Sequence, residues 1–186
     1  MNNTRLLLAV TMLAAMALSG FSQTNQQQYD QAMDKLNRTA NKRERFYALD
    51  NAAKAAFNIR NLNQAKYLAE ELLGMSNDFA DDWNFGNAIH AANIVLGRIA
   101  LAEGRIGSAR QYLLRAGSTP GSPQLKSFGP NMALAKELLA LGDRETVLQY
   151  FKLCSKFWPK KFSKIPQWTL EVQKGNIPDF GPNLAY

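Results

Sequence analysis

Apolar positions recur along most of this chain at the spacing of a helix rather than that of a strand. Tyr29, Ala32, Met33, Leu36 and Ala40 have helical spacing and predict an N-terminal helix over Tyr29–Arg45, ahead of which Gln23–Gln28 is Gln-rich and predicts a short flexible lead. Six more helices are predicted in pairs. The first pair is Phe46–Arg60 and Gln64–Leu73 about a turn at Asn61-Leu62-Asn63. The second runs from near Asp82 to Ala102, turns at Glu103-Gly104-Arg105, and returns over Ile106–Ala116. The third is Asn131–Leu141 and Arg144–Phe157 about Gly142-Asp143, stopped by Pro159. Gly104 and Gly142 fall at helix ends, where glycine closes the last turn in a left-handed conformation. Ile165–Lys174 predicts a short final helix, with Pro166 at its start and Gly175 at its end. Its Trp168, Leu170 and Val172 are expected to cover the last hairpin.

Aligning the small residues brings three stretches into register: Phe46–Phe79, His90–Pro123 and Phe128–Lys161, each 34 residues long. Self-similarity at this period marks stacked helical hairpins. Ala52, Ala53, Ala56, Ala65 and Ala69 supply small contacts where two helices can cross closely. Between the second and third hairpins, the glycines and prolines of 117–130 work against helix and predict a long loop. Such a loop is either functional or a connector pinned to the core by Leu125 and Phe128.

The second stretch carries Leu96-Gly97, Gly104, Ala109, Leu113, Ala116 and Pro120, and the third Leu134-Ala135, Gly142, Val147, Phe151, Cys154 and Pro159. The first carries Ala52-Ala53, Ala65, Ala69 and Leu72, with Asn77 at its exit. In these positions the chain resembles the tetratricopeptide repeat family, with Leu49, Asn93 and Asn131 where that family usually has an aromatic residue. The resemblance implies an all-α fold, a TPR-like helical-hairpin solenoid winding as a right-handed superhelix of about three hairpins with capping helices. It also implies that the first helix of each hairpin lines a concave groove. The residue after each close-packing Ala53, Gly97 and Ala135 is basic, so Lys54, Arg98 and Lys136 would share one face as a ladder for a carboxylate or other anion. Tyr47, Asp50 and Asn58 would flank it. Three solvated basic positions agreeing by chance give the same pattern.

The first 22 residues differ in kind from the rest. Arg5 is their only charged side chain, an apolar run follows over Leu6–Leu18, and small residues stand at Ser19, Gly20 and Ser22. That order is the signature of a secretory signal cleaved before Gln23, and the run is short for a spanning helix. The organisation expected is therefore a signal peptide over 1–22, a lead and helix over 23–45, a repeat domain over 46–161, and a cap and tail over 162–186, in a periplasmic or secreted protein. An uncleaved anchor is the alternative. The single cysteine, Cys154, excludes an intrachain disulfide, and one His with one Cys leaves a thiolate/imidazole zinc site short of ligands.

Charge is uneven. From Gln23 to Glu103 there are 9 basic and 10 acidic residues, and from Gly104 to Tyr186 there are 12 and 5. A basic half suits an acidic protein, anionic lipid or nucleic acid, and export argues against the last. A solvated surface that aids solubility explains it equally. Trp158, Phe162 and Trp168 interleave with Lys156, Lys160, Lys161 and Lys164, either as an anion-binding surface or as a cap with its rings turned inward and its lysines in water. The second of these is the expectation.

Little points to catalysis. His90, the only imidazole, has no carboxylate within reach on its own helix, which predicts a packing or hydrogen-bonded role within that helix. Cys154 is expected to be buried and inert. Asp78, Asp81 and Asp82 lack the spacing of a calcium loop and are expected to precede or open the second-hairpin helix, where negative charge is favoured. No cofactor is expected. The function these features imply is non-catalytic binding of a protein or peptide, an acidic one among the candidates, by an adaptor of the cell envelope. The rival is a basic module holding anionic lipid or polysaccharide at a membrane surface.

Overall fold

The structure, a computed structural model, describes residues 24–185. The expected signal peptide lies outside the described residues. Those residues are all-helical: α1 (24–37), α2 (Lys42–Asn58), α3 (Leu62–Ser76), α4 (Phe85–Ala102), α5 (Ile106–Gly117), α6 (Pro123–Phe128), α7 (Ala133–Ala140), α8 (Arg144–Cys154) and α9 (Ile165–Gln173), with 3-10 turns at Asn77–Phe79 and Gly181–Leu184.

Local chemistry explains where the ends fall. The helix expected over Tyr29–Arg45 is instead split, and its first turn includes residues expected to be a flexible lead. The split comes at Asn41, whose side chain accepts the Glu44 N–H at 3.0 Å while Glu44 takes the Ala40 N–H at 2.8 Å. An asparagine that caps so well opens a new helix rather than continuing an old one. Asn61 and Asp143 cap α3 and α8 in the same way, through the Gln64 and Thr146 N–H groups. The predicted loop 117–130 contains α6, because Ser122 caps it through the Leu125 N–H and Pro123 occupies its first turn, where a missing N–H costs nothing. Leu125 pins this segment to the core, whereas Phe128 is exposed.

The three hairpin turns share one hydrogen-bond pattern. Asn61 N–H reaches Ala56 O, Arg105 N–H reaches Ala100 O, and Asp143 N–H reaches Leu138 O, at 3.0, 2.8 and 3.0 Å. The left-handed residue is Gly104 in the second turn and Gly142 in the third, while the first places Arg60 there at φ 64°. Burial follows the same register. Ala52, Leu96 and Leu134 are buried, as are Ala56, Ala100 and Leu138, and so are Ala65, Ala109 and Val147.

Within each hairpin the two helices pack together, α3 also packs on α4, α5 on α7 and α8, and α9 closes the end against α8. Two apolar cores result. One gathers Leu36, Phe46 and the buried faces of α2 and α3; the other gathers α5, α7, α8 and the aromatic group Tyr150, Phe151, Trp158, Trp168 and Phe180. Helix α4 walls both, giving Val95, Leu96 and Ile99 to the first and Ile94 and Ala100 to the second. It is apolar and long enough to cross a membrane, but 72% of it is buried inside the protein, which makes it the central core helix. A Cβ on Gly97 would lie 2.3 Å from Leu134 Cδ2, so any larger residue here would force that side chain of the third hairpin to shift. In α9, Trp168 and Val172 turn inward as expected. Leu170 is exposed, because a residue two positions on lies across the helix.

Candidate functional site

A groove of about 680 Å³ lies between α1 and α2, with Trp83, Asn84, Gln124 and Ala185 also among its lining residues. Tyr47, Asp50, Lys54 and Asn58 all line it, on successive turns of α2. Lys54 Nζ lies 2.9 Å from both carboxylate oxygens of Asp50 and donates to Oδ2, while Oδ1 is buried without a hydrogen bond. Tyr47 donates its hydroxyl to Asp82 at 2.7 Å and lies 5.7 Å from the exposed Trp83 ring. That hydrogen bond raises the pKa of Tyr47. Asp82 is held below the usual carboxylate range despite burial, because the Tyr47 hydroxyl, the Asn84 N–H and nearby Arg43 all favour its charged form. Asp82 therefore precedes α4, which starts three residues later than the pattern predicts.

The other two cations of the expected ladder are elsewhere. Arg98 stacks over Phe57 at 4.3 Å, reaches Glu137 at 2.7 Å, and lines a separate depression of about 210 Å³. Lys136 is exposed and lines neither. Of the three, Lys54 alone lines the main groove; it pairs with Asp50, as Arg98 does with Glu137.

Six carboxamides line the main groove: Gln28, Gln31, Asn51, Asn58, Asn84 and Gln124. Two of them are oriented by a third amide beneath. The Asn87 side-chain nitrogen donates to Asn84 Oδ1 at 2.9 Å and to Gln124 Oε1 at 2.8 Å, and Ser122 donates to Asn87 Oδ1 at 2.7 Å. Sequence reasoning missed the contributions of α1, Trp83, Asn84 and Gln124. The polar side of α1 was visible as Gln28, Gln31 and Lys35, spaced three and four apart, but no pattern says which helix that side will face.

Beside Asp50 and Lys54 the groove deepens to a cavity of about 30 Å³ with His90 and Asn131 among its walls. That volume is on the scale of one or two waters, so it does not admit a ligand side chain. His90 is buried and bonded at both ring nitrogens. Nδ1 lies 3.1 Å from Ala116 O, which requires it to carry the proton, and Nε2 accepts the Asn131 N–H at 3.0 Å. Its partners are on other elements rather than within its own helix. Burial pushes its pKa down to about 4, with Lys54 pulling the same way and the Ala116 carbonyl and Asp50 opposing. Cys154 is buried too, and burial pushes its thiol up. Among the described residues no group of three or more His, Cys, Asp or Glu is placed to hold a metal ion.

No family model matches the chain, and neither a curated protein nor a solved structure does so.

Proposed function

We propose that this chain is a TPR-like repeat protein of the cell envelope that binds an extended segment of a partner protein in the α1–α2 groove, without catalysis. The observation that carries this reading is the six-carboxamide lining. Each carboxamide offers a donor and an acceptor, as each peptide unit does, so such a wall suits an extended backbone. Trp83 supplies an exposed aromatic anchor at one end, the kind of side chain on which binding energy concentrates. Asn84 and Gln124 each accept from Asn87 at the side-chain oxygen, which leaves their N–H groups to donate to carbonyl or carboxylate oxygens beside a Lys54 already paired with Asp50. An acidic peptide is the segment that chemistry favours.

The solenoid part of the proposal is supported by the repeated turn geometry and the register of buried positions, the envelope part by the run Leu6–Leu18 alone. Panning a displayed library of random peptides on the full chain tests it. Selected peptides should be enriched in acidic residues and should lose at least about tenfold in affinity against Trp83→Ala or Lys54→Glu. Undiminished binding to both variants would remove the groove from consideration.

A further inference from the structure

We infer that the turn 159–164, with the lysines around it, is a docking face for an anionic membrane surface, separate from the groove. The first observation concerns pairing. Of the nine cations between residues 24 and 103, seven are in ion pairs; of the twelve between 104 and 185, three are. Lys152, Lys156, Lys160, Lys161 and Lys164 are all exposed and in none of these pairs, and no acidic residue interrupts the chain between Glu145 and Glu171. Unpaired cations concentrated in so short a stretch make a local positive potential that a carboxylate-rich neighbourhood would cancel.

The second observation is the shape that presents them. Trp158 and Ile165 are buried and hold both ends of the turn. Between them the N–H groups of Phe162 and Ser163 both donate to Pro159 O, at 3.0 and 3.1 Å, and Ile165 N–H donates to Ser163 Oγ at 3.1 Å. The turn is thus folded, with Lys160, Lys161 and Phe162 at its outer side. Phe162 is 56% exposed, against the expectation that the rings of this region turn inward, and Lys161 Nζ lies 5.5 Å from its centroid. A lone exposed phenylalanine is ordinary. One at the apex of an anchored turn, ringed by unpaired lysines, combines headgroup-binding cations with an apolar wedge for the acyl boundary.

The same lysines would attract a nucleic acid or an acidic glycan. Single-stranded nucleic acid gains its base contacts by stacking on successive aromatic platforms, whereas an acidic glycan needs only the lysines and would be indifferent to Phe162. Trp158 and Trp168 are in the core, which leaves one ring here. One ring suffices for a wedge but not for a row of stacks, so the membrane is the partner this face fits.

The test reads position 162 itself, so that binding through any other part of the chain does not count. Phe162→Trp in the full chain is mixed with vesicles whose acyl chains carry bromine, made of phosphatidylcholine alone or mixed with phosphatidylglycerol. Emission should be quenched beyond the wild-type level on mixed vesicles only, and added salt should reverse it. The triple variant Lys160→Glu, Lys161→Glu, Lys164→Glu should abolish the added quenching and weaken the docking step about a hundredfold. Quenching that is absent, equal on both vesicle types, or indifferent to the triple variant would overturn the inference. So would binding to a soluble polyanion such as heparin that competes fully while Phe162→Ala changes nothing. Trp83→Ala, which tests the groove, leaves all these readings unchanged, so the two proposals stand or fall separately.

Discussion

The first and third hairpins bury the same register positions and fill them with different volumes. Where α2–α3 has Ala52, Ala56, Ala65 and Ala69, α7–α8 has Leu134, Leu138, Val147 and Phe151, and all eight are within 1% of full burial. Helices faced with alanine approach closely along their length, while helices faced with large side chains are held together through those side chains. The repeat register therefore decides which positions are inside. It does not decide how the inside is filled.

Phe151→Ala breaks that comparison most severely. It removes a ring packed against Tyr150, Trp168 and Phe180, and should cost about 3–5 kcal/mol in urea unfolding. Acid comes next, through the joint between the second and third hairpins. The folded pKa of His90, about 4, lies below its ordinary 6.5, so its contribution is complete above 6.5 and is lost as pH falls toward 4. The loss should reach about 3 kcal/mol over that window, and His90→Phe should flatten the slope even though it lowers stability at neutral pH. Asp82 and Asp143, whose carboxyls are held below 3.8, act only at lower pH and do not blur the window.

Enlarging the alanine core gives the reverse experiment. Ala69→Leu places at the first hairpin what Leu113 supplies at the second, yet it should destabilise by about 1–3 kcal/mol, because no space exists for the added carbons. Equal tolerance at both hairpins would show that volume, too, is dictated by register. The smallest effect is a gain. Arg60→Gly should stabilise by about 0.5–1 kcal/mol by relieving a left-handed arginine where the other turns have glycine. Gly104→Ala should lose a similar amount, and thermal melts of the pair would show it.

Helix pairing, turns and the final helix were legible in the sequence because apolar spacing and glycine at helix ends are local signals. Starts were legible less often. Asn41 and Ser122 override their surroundings by single hydrogen bonds that no periodicity carries. At the groove, α2 was readable residue by residue through Tyr47, Asp50, Lys54 and Asn58. Its opposite wall depends on how α1 folds back and where α6 carries Gln124, and these are tertiary facts. Arg98 lines no part of that groove, for a related reason. Equivalent helix positions share a direction, but a long side chain goes to its nearest counter-charge, as Arg98 does to Glu137.

Because α4 is a wall of both cores, the chain has no seam. A cut in its middle would leave the alanine-rich half without Val95, Leu96 and Ile99, and the aromatic half without Ile94 and Ala100. Neither piece would be a protein on its own. Melting at one end would strip the lining from the other, so the two cores should unfold together.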